Sequence, residues 1–292
     1  MKPPPFSYHD PETVSEVLGL LRSLGNSRLL AGGQSLMPML NMRLVLPEHL
    51  IDLNRVEGLA YVRESGAALE VGAMTRQREL EFSELVRERC PLMHEAILQV
   101  GHRPTRNRGT LGGSLCQLDP SAELVAVAAA LDATLTVTGA KGTREIPFSE
   151  FPKTYMTPAI EPDELLTGVR FPLWGKNHGH AFVEFARRHG DFAIVSAAAL
   201  LEEDGAGKVK RASVTLGGVG PAPVRVKEIE RAIVGHAASD ALFRDACEVC
   251  RKIEAMQDVH APSSYRRHLA AVLSRRALEK AHARIQAKGR NG

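Results

Sequence analysis

Cysteine is scarce in this chain: Cys90, Cys116, Cys247 and Cys250 are the only ones among 292 residues. That number and scatter exclude the disulfide framework that staples small secreted domains. No run approaches the ~20 apolar residues needed to cross a bilayer. The start Met1-Lys2-Pro3-Pro4-Pro5 has no apolar segment behind it, so no secretory signal is read and the cytoplasm is the expected compartment. A formal charge of only +3 gives no argument for nucleic acid as a partner. The histidines show neither H-E-x-x-H nor any other metal-ligand spacing. Two common nucleotide fingerprints are missing as well. No G-x-G-x-x-G follows the first strand-like run, and no G-x-x-x-x-G-K-[ST] occurs. A standard dinucleotide-binding Rossmann unit and P-loop phosphoryl transfer are therefore not supported.

What the chain does have is glycine in pairs. In Ala31-Gly32-Gly33-Gln34-Ser35 the pair follows a short apolar run, Arg28-Leu29-Leu30, and leads into Leu36-Met37-Pro38-Met39-Leu40-Asn41, which reads as a short helix. Thr110-Leu111-Gly112-Gly113-Ser114 repeats the device. Glycine permits positive φ and lets a ligand approach the main chain with no Cβ in the way. Free N–H groups at a turn or helix start then face a phosphate. One such loop is commonly only a turn; two, each ending in a serine hydroxyl, suit the two ends of a diphosphate.

A hydrophobic fraction of 44% suffices for buried cores, and a chain of this length divides into about two domains. Asp10-Pro11 reads as a cap and first turn for a helix carrying Val14, Val17, Leu18, Leu21 and Leu24. Asp119-Pro120 repeats that pair before a helix through Leu131. Strands are expected at 28–31, 50–53, 60–63, 69–72, 134–137 and 144–147, and helices around 76–89 and 91–100. Prolines 152, 158, 162 and 172, with Gly175 and Gly179, mark a linker near residue 176. Three strand-like runs (180–188, 192–202, 208–217) and helices at about 226–234, 240–255 and 263–287 follow. Gly217-Gly218-Val219-Gly220 before Pro221 reads as a turn. Cys247-x-x-Cys250 falls on one face of a helical pattern, as two core thiols. A zinc or iron–sulfur site needs further ligands, and none is local.

The glycine motifs also carry a family likeness. Gly32-Gly33-Gln34-Ser35 with Leu36-x-Pro38-x-Leu40-Asn41 resembles the first FAD loop of the flavoprotein subunit of the molybdenum hydroxylases. Arg106-Asn107-Arg108-Gly109-Thr110-Leu111-Gly112-Gly113-Ser114-Leu115, continued by Asp119-Pro120-Ser121-Ala122-Glu123-Leu124, is similar to the second and more specific loop. Arg187-Arg188-His189-Gly190-Asp191-Phe192-Ala193 resembles the opening of that family's C-terminal domain. The likeness runs from about Pro5 to about Leu278. It implies an α+β chain: a two-subdomain FAD-binding fold of the PCMH/vanillyl-alcohol-oxidase type over 1–176, split at about 54/55. A small C-terminal domain over 177–292, an antiparallel sheet with helices, would follow.

The resemblance also implies a role. FAD is expected without a covalent link, because neither loop offers a His or Cys positioned for attachment. The chain would be the FAD-carrying electron-transfer subunit beside a large molybdenum subunit and a small [2Fe–2S] subunit, as a dimer of heterotrimers, so the molybdenum cofactor and clusters belong to the partners. Implied cofactor-binding residues are Ala31, Gly32, Gly33, Gln34, Ser35, Leu36, Thr110, Gly112, Gly113, Ser114, Glu123, Leu166 and Phe192; no residue acts catalytically by itself and no metal is held. Relatives often carry His where Gln34 stands, and Ala-His where Cys116-Gln117 stand. Arg106 and Arg108 either meet FAD or are solvated. The basic C-terminal helix, with Arg266, Arg267, Arg275, Arg276, Lys280 and Arg284, is either a charged outer face or a dock for another subunit. A free-standing flavin oxidase or reductase of the same fold is the alternative, against which the second loop and the Arg187–Ala193 segment argue. The intact glycine pairs argue against a scaffold that has lost its cofactor.

Overall fold

The apolar stripe that starts at Val14 folds as expected, with a different cap. The computed structural model describes residues 1–289 and opens with β1 (Ser7–His9), α1 (Val14–Ser23), β2 (Ser27–Leu30), α2 (Leu36–Asn41) and β3 (His49–Asp52). Thr13, not Asp10, caps α1: its hydroxyl accepts from the Glu16 N–H at 3.2 Å and Glu16 returns the bond. The sequence holds that capping box in plain view, Thr followed three residues later by Glu. Asp10 instead pairs with Arg55 at 2.9 Å. The three strands form a parallel sheet in the order β1-β3-β2.

The second subdomain runs β4 (Val62–Ser65), β5 (Ala68–Gly72), α3 (Gln77–Phe82), α4 (Glu84–Arg89), α5 (Pro91–Ile97), α6 (Arg103–Arg108), α7 (Leu111–Gln117) and α8 (Glu123–Ala130). It continues with β6 (Thr134–Gly139), β7 (Gly142–Pro147), a small β8 (Pro152–Thr154)–β9 (Thr157–Pro158) hairpin and β10 (Leu165–Pro172). An antiparallel sheet in the order β4-β5-β10-β6-β7 puts β10 at its centre. The proline-marked stretch is thus not all linker. Leu165, Leu166, Val169 and Phe171 are buried, and Pro172 takes the last strand position, where its missing N–H breaks nothing within the ladder. Asp119 does not cap α8. Its carboxylate accepts from the Ser121 N–H at 2.9 Å, tightening the turn, and the helix starts at Glu123.

The remainder is β11 (Gly179–Phe185), β12 (Val195–Glu203), β13 (Val209–Gly217), β14 (Val224–Arg225), α9 (Lys227–Ile233), α10 (Asp240–Cys247) and α11 (Ser263–Gly289). The strands make one antiparallel sheet in sequence order, so the expected α+β class, with a C-terminal antiparallel sheet and helices, is borne out. Alternation along the strands separates two faces. Ala197, Ala199, Leu201, Val214 and Leu216 pack with α9–α11, in the core that also buries Cys247 and Cys250. Phe182, Ala198 and Leu200 pack with α8 in the core of the preceding domain.

Polar contacts lock that seam. Ser213 donates to the Ala130 carbonyl at 2.6 Å, Arg225 to Asp132 at 3.0 Å, and the Gly218 N–H to the Pro120 carbonyl at 2.8 Å. At the far end Glu95 of α5 takes Arg284 at 2.6 Å, Lys280, and the Phe182 N–H at 3.1 Å. Burial opposes the charge on Glu95, but the Arg284 and Lys280 bonds outweigh it and hold the carboxyl below its ordinary range. The basic helix therefore spends Lys280 and Arg284 on its own chain. Arg266 is 2% exposed and donates to the carbonyls of Ile194 and Gly218 and to Asp258. Arg266 is therefore no outer-face residue, whereas Lys280 stays exposed beside its bond to Glu95.

Candidate functional site

The first glycine loop leaves β2 and enters α2 with its backbone donors unspent. Among the described residues, the N–H groups of Gly33, Gln34, Ser35 and Leu36 have no hydrogen-bond partner, and the Ser35 hydroxyl makes no cap bond. Gly33 has φ of +72°, a conformation that disfavours a Cβ. Adjacent free donors beside a left-handed residue are an arrangement suited to an anion.

The second glycine pair is built differently. Gly112 and Gly113 lie inside α7, capped by Thr110. Its first donors are spent: Leu111 on the Thr75 carbonyl at 3.1 Å, Gly112 on the Ala73 carbonyl at 2.8 Å and Gly113 on the Thr110 hydroxyl at 3.0 Å. A Cβ on Gly112 would lie 2.7 Å from both the Cβ and the carbonyl oxygen of Ala73. That glycine lets α7 press on the chain leaving β5; it does not face open space. Ser114 keeps its hydroxyl uncommitted among the described residues.

The two pairs nevertheless meet. A Cβ on Gly32 would lie 2.8 Å from the Gly109 Cα and against the Arg108 carbonyl, and one on Gly113 would lie 3.6 Å from the Ala31 Cβ. The sequence reading missed the residues that tie them. Asn54 donates to the Ala31 carbonyl at 3.1 Å, and Arg76 bonds both the Asn54 amide oxygen and the Arg108 carbonyl. Burial and the nearby Arg108 lower the pKa of Arg76. No motif announces either residue, because these bonds join Asn54, Arg76 and the Ala31 and Arg108 carbonyls across long stretches of sequence.

Farther along, Glu123 begins α8 at 3% exposure. Burial, with the Glu184 and Asp119 charges adding to it, pushes its carboxyl up to about 8. Leu166 is 4% exposed, in the core that holds Leu111 and Leu115 of α7. Phe192 is no core aromatic. At 58% exposure it rides the β11–β12 loop, whose Gly190 (φ +87°) rests on the His102 ring beside α6. Arg106 is committed to Glu81 at 2.8 Å and to the Val100 carbonyl at 2.9 Å, whereas Arg108 is exposed. Among the described residues no cluster of three His, Cys, Asp or Glu could hold a metal, and no helix is long and apolar enough to cross a membrane.

Comparison with known proteins adds two family matches: an FAD binding domain in molybdopterin dehydrogenase over residues 4–174, and a CO dehydrogenase flavoprotein C-terminal domain over 180–281. The chain is 38% identical to the 6-hydroxypseudooxynicotine dehydrogenase complex subunit alpha of Paenarthrobacter nicotinovorans, covering 96% of each. It is 36% identical to the carbon monoxide dehydrogenase medium chain of Afipia carboxidovorans, covering 98% of this chain and all of the other (100%). A solved carbon monoxide dehydrogenase from Hydrogenophaga pseudoflava superposes with a TM-score of 0.94 at 34% identity, over 97% of this chain and 99% of that one.

Proposed function

This chain belongs to the family of FAD-binding subunits of the molybdenum hydroxylases, and on that premise we propose how its residues serve the role. It is the FAD-carrying electron-transfer subunit of a three-subunit enzyme, an oxidoreductase. Its partners are a large molybdenum subunit and a small iron–sulfur subunit, which hold the molybdenum cofactor and the [2Fe–2S] clusters. The dimer of heterotrimers and the cytoplasmic location belong to the same proposal, as does a division into an FAD-binding domain to residue 176 and a C-terminal domain from 177.

The observation that carries the site assignment is the row of unspent N–H groups from Gly33 to Leu36, in backbone contact with the second loop through Gly32. That donor set fits a diphosphate. Gly33, Gln34, Ser35 and Leu36 would hold it by their N–H groups, with the Ser35 and Ser114 hydroxyls adding bonds. Ala31, Gly32, Thr110, Gly112 and Gly113 shape the cradle by close backbone approach. Glu123, Leu166 and Phe192 would meet the ribityl and ring end. When bound, FAD accepts electrons from the clusters and yields them to an external acceptor. The protein binds, orients and shields; no side chain needs to act as nucleophile or general base on an organic substrate.

The test is to purify the native assembly, measure FAD, molybdenum and iron, and add the hydroxylated substrate. Flavin bleaching that requires all three chains is expected. An isolated chain that turned over an organic substrate at the full rate would instead be a free-standing flavin enzyme.

A further inference from the structure

Arg76 carries a charge that its tie between the glycine loops does not use. It stands half-buried at the start of α3, in an isolated antiparallel bridge with Thr110. Its Nη1 donates to the Arg108 carbonyl and its Nη2 to the Asn54 amide oxygen. A Cβ on Gly32 would strike that same Arg108 carbonyl. The guanidinium therefore sits against the turn that opens into the free N–H groups of Gly33 to Leu36. Both of its acceptors are neutral. Arg89, Arg106, Arg225, Arg266 and Arg284, also sheltered by the fold, each reach a carboxylate within 3.0 Å; among the described residues Arg76 pairs with none. The two acidic groups whose charge reaches it, Glu79 and Asp52, are engaged elsewhere. Glu79 accepts from the Arg76 backbone N–H at 2.9 Å, and Asp52 accepts from Tyr8 at 2.6 Å and from the Asn54 N–H at 2.9 Å. A guanidinium has five N–H donors, and Nε of Arg76 is among those without a partner in the described residues.

We infer that Arg76 is a further binding residue of the flavin site, supplying the counter-charge to the FAD diphosphate from a position tied to both loops. The inference rests on the FAD reading above. The backbone N–H groups of the cradle are neutral dipoles, whereas a diphosphate brings negative charge between the loops. An arginine fork matches phosphate oxygens in geometry and stays charged at any working pH. Its carbonyl and amide acceptors fix the head in place and leave that charge unneutralised. Sheltering such a head without an anion is costly, and a second cation beside it adds to the cost. Burial first and the Arg108 charge second oppose the protonated form of Arg76. An anion held at Gly33 to Leu36 relieves both. Arg108, exposed on the second loop, strengthens the same positive field.

Fluorescence titrations of FAD into the deflavinated full chain, with whatever subunits accompany it, test this. In Arg76→Gln, which keeps an amide donor and loses the charge, Kd should rise about tenfold at low salt. Raising salt from about 0.05 to 0.5 M should weaken binding by the wild type, and Arg76→Gln should flatten that dependence. Asn54→Ala is the control for a purely structural tie. It releases the Arg76 head but keeps its charge, so Kd should rise while the salt dependence stays as steep as in the wild type. An unchanged Kd in Arg76→Gln, or a salt dependence as steep as the wild type's, reduces Arg76 to a tie and overturns the assignment while leaving the FAD role intact. Should Arg76→Gln fail to fold, Arg76→Lys decides. It keeps the charge and loses the fork, so it should show the wild-type salt dependence, and a flattened one overturns the counter-charge. A wild-type chain that binds no FAD at any salt overturns the FAD role and this assignment together.

Discussion

Gly32-Gly33 and Gly112-Gly113 look interchangeable in the sequence, each a glycine pair with a serine close behind, yet the folded chain uses them for opposite purposes. In the first pair Gly32 packs on the Arg108–Gly109 backbone, but at Gly33 φ is +72° and the donors that follow have no partner. The second pair lies in a helix whose donors are consumed by Ala73, Thr75 and Thr110, and its glycines let two backbones approach. The first pair combines a packed Gly32 with free donors from Gly33 onward, and the second is closed by packing alone. A glycine motif therefore signals close approach without saying what approaches.

Substitution can separate the two uses. The largest effect should come from Gly112→Val, whose side chain collides with Ala73 backbone and Cβ atoms that cannot rotate away. The expected cost is about 3 kcal/mol or more, seen as loss of soluble, cooperatively melting protein. A Gly112→Val chain with the wild-type melting temperature would erase the distinction between the loops.

Gly33→Val should behave differently. The added Cβ meets the flexible Met37 side chain at 3.1 Å and a strained φ, costing roughly 1–2 kcal/mol. The chain should still fold, while FAD affinity drops at least about a hundredfold, equivalent to ~3 kcal/mol, because the cradle closes over its own donors. Fluorescence titration with FAD, beside a thermal melt, reads both quantities. Retained affinity would move the diphosphate elsewhere.

A third change tests whether the cradle depends on the domain seam. Glu95→Ala removes the acceptor of Arg284, Lys280 and the Phe182 N–H without touching either loop. Leaving those donors unpaired should cost about 2 kcal/mol, measured by denaturant unfolding, with the loop chemistry unchanged. An unfolding midpoint equal to wild type would mean that Glu95 adds nothing at the seam. The smallest effect is expected for Asn54→Ala, which frees the Ala31 carbonyl and the Arg76 head. A loss of about 1 kcal/mol, or roughly fivefold in FAD Kd, should appear, and an unchanged Kd would show that the two loops need no tie.

Much of the architecture was legible in residue order. Periodicity placed the stripe of α1, the strands of the C-terminal sheet and the long last helix, because those elements bury a regular face. The capping errors at Asp10 and Asp119 share a cause: Asp-Pro is a good helix start by propensity, but Thr13 offers a reciprocal box with Glu16, and Asp119 folds back on Ser121. Strand β10 was hidden by prolines around it, since a central strand earns its place from neighbours on both sides.

By itself the sequence determined the two glycine loops and their suitability for a diphosphate, because those depend on residue types at short fixed spacings, and the likeness of those loops to a known family implied the class of the protein and FAD. Only the tertiary structure decided how each part is used. It buried Arg266, tied Lys280 and Arg284 to Glu95, committed Arg106 to Glu81, and brought Asn54 and Arg76 between the loops. Those pairings join residues far apart in the chain, and their energetics depend on burial and on the nearest opposite charge, which exist only once the two domains have packed.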